Sequence, residues 1–112
     1  MPHETRIRPA AVAGMFYPPQ ADTLRAQVRE CLASAGPVAR SARPPKMLVV
    51  PHAGYVYSGE SAAQAYARLA PWHDRITRVV LLGPVHRVPV RGLAAPRVSS
   101  FETPLGEVPL DT

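Results

Sequence analysis

The sequence predicts an α/β fold: a βαβ unit with parallel central strands and flanking helices, read as an incomplete part of a larger α/β domain. Three observations carry this reading. Met47-Leu48-Val49-Val50 and residues 77–82 are leucine-rich and β-branched runs that stop at Pro51 and Gly83, the pattern of buried strands. A segment with helical apolar spacing lies between them. The two runs start roughly 30 residues apart, which suits a right-handed βαβ unit.

The elements follow in order. Residues 1–19 read as extended or irregular, with Ala11-Val12-Ala13-Gly14-Met15-Phe16-Tyr17-Pro18-Pro19 as their apolar part. A helix is predicted over 21–35. Leu24, Val28, Cys31, Leu32 and Ala35 share one face, Asp22 is a cap or first-turn acid, and Gly36 is the stop. Residues 37–45, rich in Pro and Arg, read as a mobile loop. The first strand is 47–50. After the loop carrying His52, Ser58 is expected to cap a second helix ending near Leu69, with Glu60 at the positive end of its dipole. Ala62, Ala65, Tyr66 and Leu69 form its apolar stripe. The second strand is 77–82, and Leu93-Ala94-Ala95 and residues 98–101 are short strand candidates.

The totals narrow the function classes. A chain of 112 residues supports one domain with a real core, and an apolar share of 46% is ordinary for a globular protein. The 14 prolines cluster outside the periodic segments and imply long ordered loops. Net charge is +5, yet no Lys/Arg run interleaves with aromatics, so nucleic acid is not the expected partner. One cysteine excludes an internal disulfide. The N-terminus carries no apolar signal-like stretch, and no apolar run approaches the roughly 20 residues of a membrane span. The expected location is the cytoplasm, with no membrane partner. Parallel strands need cover on both faces, and about two helices do not supply it, so a partial domain or an oligomer is expected.

The chemistry points to His52 and His86. Each sits just past the end of a predicted strand, where open α/β sheets bind ligands. Two imidazoles there can share a metal ion. The alternative is that each is bonded to a backbone carbonyl. Candidate carboxylates for a third ligand are Glu60, Asp74, Glu102, Glu107 and Asp111, none as well placed. Tyr55 and Tyr57 follow His52 and can supply a hydroxyl for acid–base or orienting work; the alternative is packing. Residues 57–60 open a helix whose amides favour an anion. Cys31 reads as core, His3 and His73 as surface, and Trp72 as cover for a helix end.

Four stretches in order resemble one family. They are Ala13-Gly14-Met15-Phe16-Tyr17-Pro18, then Pro51-His52-Ala53-Gly54-Tyr55-Val56-Tyr57-Ser58-Gly59, then Leu82-Gly83-Pro84-Val85-His86, then Thr103-Pro104-Leu105-Gly106. The chain is similar to the Memo-like family, whose bacterial and archaeal members are called AmmeMemoRadiSam system protein B. Residues 1–112 resemble the N-terminal part of a single Memo-like domain. The resemblance implies a fold related to class III extradiol dioxygenases, with a strand-end pocket for non-haem iron, Fe(II). It implies that His52 and His86 are metal ligands and that Tyr55 stands at the pocket mouth as a catalytic residue. An aspartate and a cysteine, the family's remaining candidate ligands, lie downstream of the Thr-Pro-Leu-Gly motif, so Cys31 is not that cysteine. Two positions depart from the family: Val85 stands where Ser or Asn is usual, and Arg87 where a second histidine often follows.

The expected function is therefore that of a metal-dependent, dioxygenase-like redox protein acting on a small organic substrate. The alternative is a scaffold binding a peptide or anion through the same pocket. The resemblance also implies pathway partners of the radical-SAM and AMMECR1-like kinds.

Overall fold

The computed structural model describes residues 6–40 and 43–111. The expected α/β class holds: the helices accompany a three-stranded mixed sheet containing a parallel pair. In chain order the elements are β1 (Ile7–Arg8), α1 (Ala21–Ser34), α2 (Tyr55–Tyr66), a 3₁₀ helix (Ala67–Trp72), β2 (Ser100–Thr103) and β3 (Gly106–Pro109). Strand order is β1-β2-β3. The first pair is parallel, with Ile7 opposite Ser100, and the second antiparallel, with Phe101 opposite Val108. The parallel pair is thus joined by a crossover that contains every helix.

The strands of that pair are not those the apolar runs suggested. Among the described residues, 47–50 and 77–82 run without ladder partners; Leu48 and Val50 are half-buried, while most of the other side chains are exposed, Val49 by 89% and Val80 by 87%. Hydrophobicity marks what a strand wants to bury, and among the described residues no strand pairs with these runs. The sheet forms instead from polar, short segments tied by specific bonds. Ser99 bonds to the Arg6 carbonyl through both its N–H and its hydroxyl, each at 2.8 Å. Arg8 lies over the Phe101 ring, 5.5 Å from its centre. Leu93-Ala94-Ala95 forms no strand, and the strand expected over 98–101 is shifted to Ser100–Thr103. The β2–β3 turn is closed by Thr103, whose hydroxyl donates to the Gly106 carbonyl (2.8 Å) and accepts from the Leu105 N–H (3.1 Å). Thr103→Val keeps the shape and removes both bonds. It is expected to lower unfolding stability by about 1–2 kcal/mol in urea titrations.

Helix α1 matches its expected span to one residue. Asp22 occupies the first turn and pairs with Arg25 at 3.1 Å, and Gly36 ends the helix with φ +72°. Helix α2 begins at Tyr55, three residues before the expected Ser58 cap. The cause is tertiary. The Phe16 carbonyl takes the Tyr55 N–H at 2.8 Å, and the Gly54 carbonyl accepts from Tyr57 and Ser58, which closes the first turn early. Ser58 is buried in the helix, its hydroxyl donating to the Ala53 carbonyl at 3.0 Å. Glu60 therefore lies beyond the first turn.

The core is small. Leu24, Ala63, Ala67 and Trp72 are its buried apolar residues among those described. Trp72 ends the 3₁₀ helix and carries the Arg40 guanidinium 4.1 Å from its ring centre, so it covers the helix end as expected. Helix α1 packs on α2, and α2 runs on into the 3₁₀ helix. The loop expected over 37–45 includes residues 41–42, and His3 belongs to 1–5; both stretches lie outside the described residues.

Candidate functional site

The two histidines predicted from their loops meet in space. His52 Nε2 stands 3.2 Å from His86 Nε2, with ring centres 5.3 Å apart and planes inclined by 47°. Both residues are exposed. Two readings of the distance are chemically sound. One ring can donate its Nε2–H to the other's lone pair. Alternatively, two nitrogens each about 2.1 Å from a shared ion, at 90–109° to one another, stand about 3.0–3.4 Å apart.

The pair heads an open cavity of about 580 Å³. Its walls come from α1 (Val28, Cys31, Leu32), from α2 (Tyr55, Gly59, Ala62, Tyr66) and from both histidine loops. Close approach of the helices is set at Gly59, where a Cβ would meet Cys31 Sγ at 3.1 Å. The helical spacing that put Cys31 on one face with Val28 and Leu32 correctly gives its side; that face looks into the cavity rather than a filled core. Tyr17 and Tyr66 also line the cavity and were not singled out from the sequence as site residues. Tyr17 belongs to the motif 13–18, and that was the signal available.

The turn at 12–17 shapes the cavity's N-terminal wall. Gly14, at φ +84°, lets its N–H reach the Tyr17 carbonyl at 2.7 Å, while the Phe16 N–H bonds back to Val12 at 2.9 Å. The outcome is a carbonyl at Phe16 aimed at the start of α2. Tyr17 and Tyr55 then stack at a tilt, ring centres 5.6 Å apart.

Burial in this apolar wall pushes the Tyr55 phenol above its ordinary value, with Tyr17, Tyr66 and Cys31 adding in the same direction. At neutral pH Tyr55 is a hydroxyl donor. The raised value makes its contribution to stability complete below pH 10 and progressively lost as pH climbs through the folded-state value. The alkaline loss of stability is therefore expected to be smaller in Tyr55→Phe than in the parent, measured by urea unfolding between pH 8 and 11.

The candidate carboxylates do not approach the histidines. None of Glu60, Asp74, Glu102, Glu107 or Asp111 lines the cavity. Asp111 pairs with Arg78 at 3.1 Å, and Glu107 accepts from Ser100 at 3.1 Å. Among the described residues, no group of three or more His, Cys, Asp or Glu is positioned to hold a metal ion. The donor set present is two nitrogens. His73 bonds the Ala70 carbonyl at 2.9 Å and takes no part. The amides that would receive an anion at the start of α2 are partly engaged, the Tyr55 N–H by Phe16. Tyr57 is 85% exposed and lies outside this cavity.

These features define a class: an α/β chain with an open apolar cavity headed by paired imidazoles and flanked by tyrosines. The comparisons with known proteins are more specific. Residues 8–112 match the family described as Memo-like protein, and the chain belongs to it. It is 38% identical over 117 residues to a MEMO1 family protein of Thermotoga neapolitana, covering 94% of this chain and 40% of that protein. It is 38% identical over 112 residues to the MEMO1 family protein of Thermotoga maritima, covering 93% and 40%. It is 35% identical over 111 residues to Protein MEMO1 of Homo sapiens, covering 99% and 36%. The chain therefore spans about two-fifths of the length of these relatives. Among the described residues, no helix is long and apolar enough to cross a membrane.

Proposed function

We propose that this Memo-like chain contributes a two-histidine metal half-site, with Fe(II) as the ion, to a redox protein that takes a small organic substrate. The observation that carries the reading is the 3.2 Å separation of His52 and His86 Nε2 at the head of a cavity. That spacing suits two ligands of one ion, and iron bound there would supply redox chemistry toward dioxygen. The remaining roles belong to the chain itself. His52 and His86 each lend a nitrogen lone pair. The Tyr55 hydroxyl, kept protonated by its apolar surroundings, orients a substrate oxygen by donating to it. Phe16, Tyr17, Tyr66 and Leu82 shed water from an apolar substrate body. A relation to class III extradiol dioxygenases and a shared pathway with radical-SAM and AMMECR1-like proteins belong to this reading. The competing reading, a peptide- or anion-binding scaffold, draws on Arg87 beside His86 but is weakened by the engaged Tyr55 amide.

Anaerobic calorimetric titration of the 112-residue chain with Fe(II) tests the proposal. Saturable binding at one equivalent supports it. A folded chain that takes up no Fe(II) at millimolar concentration overturns it.

A further inference from the structure

We infer that a second cavity, between the N-terminal turn, α1 and the start of α2, is a binding site for an uncharged, amino-substituted nitrogen heterocycle, the class of an adenine-type base. The inference does not depend on metal binding.

The cavity has a volume of about 370 Å³ and is distinct from the one headed by the histidines, although Phe16, Tyr17 and Tyr55 line both. None of its lining residues carries a charge, so neither an ammonium nor a carboxylate would find a counter-ion in its wall.

Two observations say what it takes. The first is Gln27 on α1, which lines the cavity. Its Oε1 is buried and has no hydrogen-bond partner. Buried side-chain acceptors are nearly always paired, because an unpaired one forfeits the hydrogen bonds it made to water. An N–H donor on a ligand would restore one. The terminal torsion of a glutamine is soft, so the carboxamide edge can turn toward an arriving group. The second is the ring of Tyr57, which lines the cavity yet is 85% exposed, with Val56 and Met15 in the same wall at 84% and 75%. A bare aromatic face is a stacking platform for a flat ring, and stacking is tolerant of which heterocycle it meets. Selectivity therefore falls to Gln27. A carboxamide presents an acceptor and a donor side by side, the complement of an exocyclic amine next to a ring nitrogen.

Calorimetric titration of the metal-free 112-residue chain with adenosine tests the inference. Purine riboside, which keeps the rings and lacks the amine, is the control. Adenosine is expected to bind saturably with a sub-millimolar Kd, and purine riboside at least about 10-fold more weakly. Gln27→Leu is expected to bring adenosine down to the level of purine riboside and to leave purine riboside unchanged. Tyr57→Ala is expected to weaken both by about 10-fold. His52→Ala is expected to leave both affinities as they are, since His52 does not line this cavity. A folded chain that shows no saturation up to about 5 mM adenosine, or equal affinity for the two compounds, overturns the inference, and neither result requires a variant to fold. Loss of adenosine binding in His52→Ala would place the ligand in the histidine cavity and overturn it too. So would sedimentation velocity showing that copies associate through the Tyr57 face, with Tyr57→Ala restoring the monomer.

Discussion

Fe(II) affinity is expected to fall at least about 100-fold in His52→Ala, by the same measure in His86→Ala, and scarcely further in the double variant. The size follows from a comparison. Altering a group that merely orients a metal ligand costs about 10–100-fold, so deleting the ligand itself costs no less. The non-additivity follows from the geometry. With the two Nε2 atoms 3.2 Å apart, both serve one ion, and losing either leaves a single nitrogen. Independent sites would give a double variant whose loss is the product of the singles. Calorimetry on the four proteins separates these outcomes. Circular dichroism should show the folds unchanged, because both imidazoles are exposed and neither is part of the core.

The second large effect is on stability. Trp72→Ala is expected to cost about 3–5 kcal/mol, the usual range for emptying a large aromatic site. Small domains have only about 5–15 kcal/mol in total, so the helical layer is expected to lose its cooperative transition near room temperature. Trp72 is 5% exposed in a core whose other buried apolar members are Leu24, Ala63 and Ala67. Arg40 stacked on its outer face would also be released. Trp72→Phe, which retains most of the apolar bulk, is expected to cost about half as much. Urea unfolding followed by far-ultraviolet circular dichroism measures both. A Trp72→Ala protein within 1 kcal/mol of the parent would show that the 3₁₀ helix lies outside the cooperative unit.

Helix α1 was legible in the sequence because its signals are local: apolar spacing at Leu24, Val28 and Cys31, an acid in the first turn, and a glycine stop. The meeting of His52 with His86 was legible through the two apolar runs that lead to them, even though those runs form no ladder here. Their strand character was read from composition, while ladder formation depends on neighbours that the sequence of the run does not contain. The early start of α2 was hidden for a similar reason. It depends on the Phe16 carbonyl, 39 positions away from Tyr55, and a backbone group leaves no mark in the side-chain pattern. The β1–β2 pairing is likewise held by Ser99 and by Arg8 against Phe101; β2 was read two residues early, at 98–101, and β1 is too short and polar to read as a strand. Cys31 was read as core and Tyr66 as part of an apolar stripe because helical periodicity identifies the inward side, and it cannot tell a filled interior from a cavity.

The bond between the Phe16 carbonyl and the Tyr55 amide joins main chain to main chain, and this decides which substitutions His52 can feel. Side chains at 16 and 55 can change without breaking that tether, so the surface they present can diversify while the histidine keeps its place. Gly14 has no such freedom, because its φ of +84° aims the carbonyl two residues later. A side chain there would strain the turn and shift the footing of α2. The N-terminal turn thus works as a splint for the His52 loop, tolerant of decoration and intolerant of bending.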